Sequence, residues 1–297
     1  MLKVVTFYKY ISLESPRYWM HKFRWVCSEL NLLGRILVAE EGVNGAICGE
    51  KESIKEFKRK IKESEEFSDL TFRVQNCKEQ VYHKLTVKVR KEVIVFVNKV
   101  DLRKKGEYIG PEELKVKLDN RENNREKLIL LDARDEHEYK VGKFKNAVTL
   151  PMNNFRDFPE AVKILEPYKN NKIVMYCTGG IRCEKSSAFL KQRGYKNVYQ
   201  LKGGIIDFIS KFPDTYFEGS CFVFDDRLTA SSGKPITTCI HCSKEEDRYL
   251  NCHNLDCDRL FICCENCEEE NNYCCSSECR NSKRQRKKIA VVARYAR

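Results

Sequence analysis

The chain has 297 residues, 42% of them hydrophobic, and a formal net charge of +12 at neutral pH. That length and apolar content exclude a wholly disordered chain and allow two domains plus a small appendage. No run approaches the roughly 20 apolar residues of a membrane helix, and Met1-Leu2-Lys3-Val4-Val5-Thr6 lacks the layout of a secretory signal, so a soluble cytoplasmic protein with no membrane partner is expected.

Residues 1–95 read as a small α/β domain. Val4–Tyr8 predicts a strand, and Ser15-Pro16 opens a helix to about Leu30, with Trp19, Phe23, Val26 and Leu30 at helical spacing. Arg35–Ala39 and Ala46–Cys48 predict strands around a turn at Asn44-Gly45, a hairpin dipeptide. A second helix over Ser53–Phe67 presents Ile54, Phe57 and Ile61 on one face, and Leu70–Val74 is the next strand. The order βαββαβ is that of a ferredoxin-like, acylphosphatase-like fold. Val81–Val89 adds a further strand, and Glu92–Asp101 links onward.

Residues 96–235 change to alternating strand and helix. Pro111–Leu118 predicts a helix, Leu128–Leu131 and Ile173–Tyr176 buried strands, and Cys183–Arg193 a helix. Val198–Leu201 is a third strand, followed by Gly203-Gly204 and an apolar helix from Ile205. Short apolar strands alternating with helices imply a parallel sheet covered on both faces.

Cys177-Thr178-Gly179-Gly180-Ile181-Arg182 falls at one strand-to-helix junction. Two glycines let the backbone curl so that successive amides point inward, forming an anion cradle with the helix N-terminus. A cysteine there ionises readily, helped by Arg182, and becomes a nucleophile. The loop resembles that of rhodaneses, whose six-residue active loop starts with the persulfide-forming cysteine. Phosphatases of that fold use seven residues ending in arginine, whereas here four residues separate Cys177 from Arg182, which favours sulfur chemistry over phosphate. Asp132-Ala133-Arg134 with Glu138-Tyr139, Gly142 and Ala147, and Leu201-Lys202-Gly203-Gly204, fit the same family. Lys143-Phe144 replaces its usual His-Ile after that glycine. Asp132, Arg134 and Glu138 are expected to form a buried polar network.

The segment Tyr176–Ser186, with Leu37-Val38-Ala39-Glu40-Glu41-Gly42-Val43-Asn44-Gly45, resembles more narrowly the tRNA wobble-uridine hydroxylase family. The resemblance covers about residues 1–235. It implies oxygen-dependent conversion of uridine(34) to 5-hydroxyuridine at Cys177, with tRNA as partner and molecular oxygen as co-substrate. Cys183 matches that motif too, and either resolves an oxidised Cys177 or packs. His21, His83, His137, His241 and His253 are scattered, so no iron site is visible from spacing, and no Gly-x-Gly-x-x-Gly dinucleotide motif occurs. The redox cofactor or electron donor stays unassigned. A sulfurtransferase, or a regulatory binding module tolerant of losing Cys177, are the competing readings.

Residues 236–279 hold ten of the 16 cysteines and only three basic against ten acidic side chains. The pairs Cys239/Cys242, Cys252/Cys257, Cys264/Cys267 and Cys275/Cys279 supply eight thiolates, enough for two tetrahedral zinc ions. The choice between Cys263 and Cys264, and between Cys274 and Cys275, is open, and His241 or His253 are alternative ligands. The last seven residues of the segment resemble the second half of cross-braced zinc modules. That resemblance implies the first pair shares a metal with the third and the second with the fourth. Residues 280–297 carry eight basic and no acidic side chains. Arg280–Lys288 reads as helix-prone, and the tail as a phosphate anchor for tRNA or a solvated charge run.

Overall fold

The computed structural model describes residues 1–122, 128–213, 215–230 and 233–286. The chain divides into two compact units, residues 1–95 and the described residues from Phe96 onward.

The first unit runs β1 (Leu2–Tyr10), α1 (Pro16–Glu29), β2 (Leu33–Ala39), β3 (Gly42–Glu50), α2 (Lys51–Lys62), β4 (Phe72–Cys77) and β5 (Leu85–Val89). The strand order is β4-β1-β3-β2-β5, antiparallel except for the β2–β5 pair. One sheet face and two amphipathic helices bury a single core, in which Phe7 meets Phe23 and Phe57. The helical spacing of Trp19, Phe23 and Val26, and of Ile54, Phe57 and Ile61, puts those residues in it.

Two expectations are corrected. The hairpin turns at Glu40-Glu41, while Asn44 and Gly45 lie inside β3 paired to β1 and β2. Gly42, at φ +138°, takes the turn-side position, where a Cβ would sit 2.0 Å from the Lys9 carbonyl oxygen. The second helix stops at Lys62, and Glu65–Phe67 is a separate 3₁₀ turn that drops Phe67 into the core.

The second unit starts with β6 (Glu107–Ile109), α3 (Pro111–Glu122), β7 (Leu128–Asp132), α4 (Glu136–Val141), β8 (Gly142–Phe144) and the short α5 (Phe158–Ala161). It continues through β9 (Lys172–Tyr176), α6 (Ile181–Gln192), β10 (Asn197–Leu201), α7 (Gly204–Lys211), β11 (Phe217–Gly219), β12 (Cys221–Phe222) and β13 (Thr229–Ala230). The sheet β6-β10-β9-β7 is wholly parallel. Its core joins Leu130, Val174, Tyr176 and Leu201 to Ile205 and Phe208 of α7. Helix α6 begins at Ile181 rather than Cys183, because Gly180 takes a left-handed conformation (φ +99°) and turns the chain directly off β9.

The same unit includes β14 (Tyr249–Asn251), β15 (Leu260–Ile262), α8 (Glu265–Glu270) and α9 (Ser277–Arg280). The cysteine-rich hairpin is tied to the parallel-sheet region by the Tyr249 hydroxyl, which donates to the His137 carbonyl oxygen at 2.8 Å, and by a Ser220–Asp247 hydrogen bond. Among the described residues no helix is long and apolar enough to cross a membrane.

Candidate active site and cysteine quartets

Cys177 follows directly on β9, and the loop it opens is held from two sides. The Gly180 amide donates to its sulfur at 3.1 Å, and the Cys183 amide closes the turn on the Gly180 carbonyl oxygen at 3.1 Å. From the other side, the amides of Ile205 and Ile206 at the start of α7 take the carbonyls of Cys177 and Thr178, at 3.0 and 3.2 Å. Gly204 permits that approach, since a Cβ there would lie 2.4 Å from the Cys177 oxygen. The paired glycines expected before an apolar helix thus serve the active loop, a role the sequence did not reveal.

Burial alone would raise the Cys177 thiol. The neighbouring Cys183 thiol, the Arg182 charge and the loop amides together outweigh it and bring the pKa down to about 6. Cys183 is pushed well above the usual thiol range, by burial and by the neighbouring Cys177 sulfur. Of the two, Cys177 is the one that ionises readily. Cys177 is fully buried, while Gly179 is half-buried with open space where a Cβ would be, so the loop is thinnest over that residue.

Arg182 does not reach into the cradle as a free charge. Its guanidinium is clamped by Glu138 of α4 through both carboxylate oxygens, one contact measuring 2.7 Å. Thr178 Oγ1 donates to the same carboxylate at 3.0 Å. Glu138 is fully buried; burial opposes its ionisation, but Arg182 reverses the effect and its carboxyl lies below the usual range. The expected polar network exists, with Arg134 bound to Asp132 and to the Gly142 carbonyl oxygen at 2.7 Å. Glu138 leaves it to brace the loop instead.

Beside this brace, Asp135, His137 and Glu138 place one ligand atom each within 4.8 Å of one another. A cation there would have to displace Arg182, which already neutralises Glu138, so the cluster is an ion-pair site. Burial raises Asp135 to about 6, and burial lowers the His137 imidazole.

Phe224 was not singled out by the sequence. It is 59% exposed on the β12–β13 hairpin, with its ring 5.6 Å from the Arg182 guanidinium and edge-on to buried Phe222 at 5.3 Å. The hairpin is fixed by Val223 N–H to Leu228 O and by Arg227–Asp225 bonds. No composition or spacing signal distinguishes this phenylalanine from core aromatics.

The cysteine-rich segment forms two quartets. Cys239, Cys242, Cys264 and Cys267 bring their four sulfurs within 4.8 Å, and Cys252, Cys257, Cys275 and Cys279 do likewise. The first pair joins the third and the second joins the fourth. Cys263 donates to the Cys264 carbonyl oxygen and Cys274 to that of Asn272, so both point away. The ring of His241 bonds the Cys274 carbonyl oxygen, and that of His253 stacks on Tyr273 at 4.6 Å, so neither joins a quartet. Four cysteine sulfurs gathered in this way suit a tetrahedrally bound metal ion.

The basic tail departs from expectation where it is described. Past α9 the chain runs back along the second quartet instead of continuing as a helix: Leu255 N–H bonds Arg284 O, and Arg286 N–H bonds His253 O at 2.7 Å. Arg284 pairs with Asp256 and Arg286 with Asp258. These arginines offset part of the acidic charge of residues 236–279. Lys287 onward, including Lys288 and the rest of the proposed phosphate anchor, lies outside the described residues.

Comparison with known proteins divides the chain similarly. Residues 2–93 match the family model "UPF0176 acylphosphatase like domain", 111–211 "Rhodanese-like domain" and 218–280 "Rhodanase C-terminal". A protein of Cytophaga hutchinsonii named tRNA uridine(34) hydroxylase is 39% identical over 94% of this chain and 89% of its own length. One of the same name from Aster yellows witches'-broom phytoplasma is 38% identical over 93% of this chain and 91% of its own. These alignments extend past residue 235, so the likeness takes in the cysteine-rich segment as well. A solved rhodanese-like domain from Anabaena is 23% identical over 38% of this chain and 78% of its own, with a TM-score of 0.31.

Proposed function

Because this chain belongs to the tRNA uridine(34) hydroxylase family, we propose that it converts the wobble uridine of tRNA to 5-hydroxyuridine, with molecular oxygen, at the Cys177 loop. The observation that carries the assignment to this loop is the cradle: the Gly180 amide donates to the Cys177 sulfur at the strand-to-helix turn, beside Arg182, and the thiol pKa is brought down to about 6. Cys177 is the nucleophilic thiolate, and Thr178 to Arg182 form the anion cradle. Glu138 positions the loop through Thr178 and Arg182. Phe224 supplies a flat apolar platform for the uracil ring beside Arg182, as aromatic side chains do for unpaired bases.

The two cysteine quartets hold two structural zinc ions, each with four thiolates and no open position for chemistry. Binding of tRNA draws on the exposed face of α1, where Arg17, Tyr18, His21 and Trp25 lie within one helical stripe. Cationic and aromatic groups interleaved in this way suit a phosphate backbone with exposed bases. A tRNA substrate places the protein in the cytoplasm.

Mass analysis of tRNA nucleosides from a deletion strain, complemented with wild type, tests this reading. Loss of 5-hydroxyuridine and its return on complementation is the expected result. Loss of a thiolated nucleoside instead would assign the loop to sulfur transfer, and no change would refute a role in tRNA modification.

A further inference from the structure

The hairpin of β14 and β15 is a plate with two apolar faces. Its cross-strand pair Leu250 and Phe261 lies in one cluster with the quartet cysteines. The adjoining pair, Tyr249 and Ile262, belongs with Leu260 to a second cluster around Val141 of α4 and Phe222. Successive residues of a strand point to opposite faces, so one face of the hairpin serves the metal sites and the other serves α4. Two strands of three residues are too short to hold together alone. Here both ends are tied to the quartets. Cys252 N–H bonds the Arg259 carbonyl oxygen at 2.8 Å, where β14 runs into the second quartet. Ile240 N–H, between two cysteines of the first, bonds the Ile262 carbonyl oxygen at 3.0 Å. The quartets therefore set the position of Tyr249.

Tyr249 is buried, and burial raises its hydroxyl to about 12, so it keeps its proton and stays a donor. It donates to the His137 carbonyl oxygen at 2.8 Å. Its ring and the His137 imidazole both meet Phe222 edge-on, at 5.8 and 4.7 Å. The next residue along α4 is Glu138, whose carboxylate grips Arg182 and takes the Thr178 hydroxyl. A helix of six residues has little stability of its own, so α4 keeps its place through such contacts. Arg134 holds the Gly142 carbonyl oxygen at the far end, and Tyr249 holds the turn that bears Glu138.

We propose that Tyr249 is a positioning residue for the active loop: the hairpin built on the two quartets fixes the first turn of α4, and Glu138 carries that placement to Thr178 and Arg182. The part played by metal rests on the zinc reading above, whereas the part played by the Tyr249 hydroxyl does not. The cysteine-rich segment is thereby a prop for the cradle, and loss of its metal is felt at Cys177.

Alkylation of Cys177 by a small haloacetamide, followed across pH by peptide mass spectrometry on the full-length protein, reads the loop without tRNA or turnover. Tyr249→Phe keeps the ring against Phe222 and removes only the donor. With Glu138 less firmly placed, the pH midpoint of alkylation should rise by about 0.3–0.7, a fall in rate of about two- to fivefold well below the midpoint. Ser220→Ala is the control. It breaks the other tether of the hairpin, the Ser220–Asp247 bond, and keeps the backbone bond from Ser220 N–H to the Val141 carbonyl oxygen. Its midpoint should match wild type. Chelation, with zinc release confirmed by metal analysis, should raise the wild-type midpoint at least as far as Tyr249→Phe does. An unmoved midpoint in Tyr249→Phe overturns the proposal, and so does an equal rise in Ser220→Ala, which would mean a general loosening of the unit. A midpoint that ignores chelation overturns the part played by metal. Protein that holds no zinc as purified, with Tyr249→Phe still raising the midpoint, would instead overturn the zinc reading, so the failures are distinguishable.

Discussion

The chain uses cysteine in two opposite ways within one compact unit. In the quartets, sulfurs gather four at a time within 4.8 Å of one another, an arrangement suited to a cation. In the active loop, one sulfur is ionised by backbone amides and a braced arginine. The first arrangement neutralises thiolates and leaves them inert; the second preserves a thiolate and leaves it reactive. Spacing expresses the difference: pairs with two to four residues between them for metal, and a glycine-bearing strand-to-helix turn for chemistry.

Removing metal from the purified protein would break that contrast most severely. Chelation should strip about two zinc ions and unfold residues 236–286, since a structural zinc site contributes on the order of 10–16 kcal/mol to folding of its module. The parallel sheet should survive, visible as persistent protection of β7, β9 and β10 to hydrogen exchange. Collapse of the whole unit would mean the Tyr249–His137 contact carries more of the fold than its single hydrogen bond suggests.

Next in size is Cys177→Ser. Loss of a nucleophile typically costs on the order of 10⁴-fold or more in turnover, and the melting temperature should remain near wild type. Alkylation of Cys177 by a small haloacetamide sharpens the same point. Its rate should rise with pH through about 6 and then level, well below the ordinary thiol range. Asp135 also titrates near 6, so Asp135→Asn should leave this limb in place if the sulfur is its source. Because the folded pKa is depressed, the thiolate's contribution to stability is full above the ordinary thiol pKa and disappears as pH falls through about 6. A limb near 9 would remove the distinction between the two sulfur environments.

Glu138→Gln tests the brace. Leaving the buried Arg182 without its carboxylate should cost about 3–5 kcal/mol of stability, measured by denaturant unfolding, and should loosen Thr178. A cost below about 1 kcal/mol would show that Arg182 finds another partner. Phe224→Ala is the mildest change. Stacking of one base is worth about 1–3 kcal/mol, so KM for tRNA should rise roughly 5- to 150-fold while turnover at saturation and folding are kept; Phe224→Trp should restore binding. An unchanged KM would remove Phe224 from the substrate site.

Much of this was legible in the sequence because it rests on local geometry. Helices α1 and α2 followed from residues at helical spacing, and the cradle from a cysteine and two glycines between an apolar strand and a helix. What was not legible depends on distant partners. Asn44-Gly45 carries a turn signal, yet Gly45 sits in β3, paired to β1 and β2, at a position where the Phe7 ring leaves no room for a Cβ. Glu138 lies 39 residues before Cys177 and its bond to Arg182 exists only once α4 packs on the loop. Choosing Cys264 over Cys263, and Cys275 over Cys274, required knowing which way each side chain leaves the backbone. The path of Arg284 and Arg286 is set by Asp256 and Asp258, and composition alone could not assign them.

The seam between the active loop and α7 also imposes an order on biosynthesis. The carbonyls of Cys177 and Thr178 are fixed by amides from Ile205 and Ile206, which leave the ribosome 28 residues later. Until that stretch has emerged and docked, the loop is held from one side alone, by Glu138 through Thr178 and Arg182. The complete cradle therefore closes only when the second half of its own domain has been made.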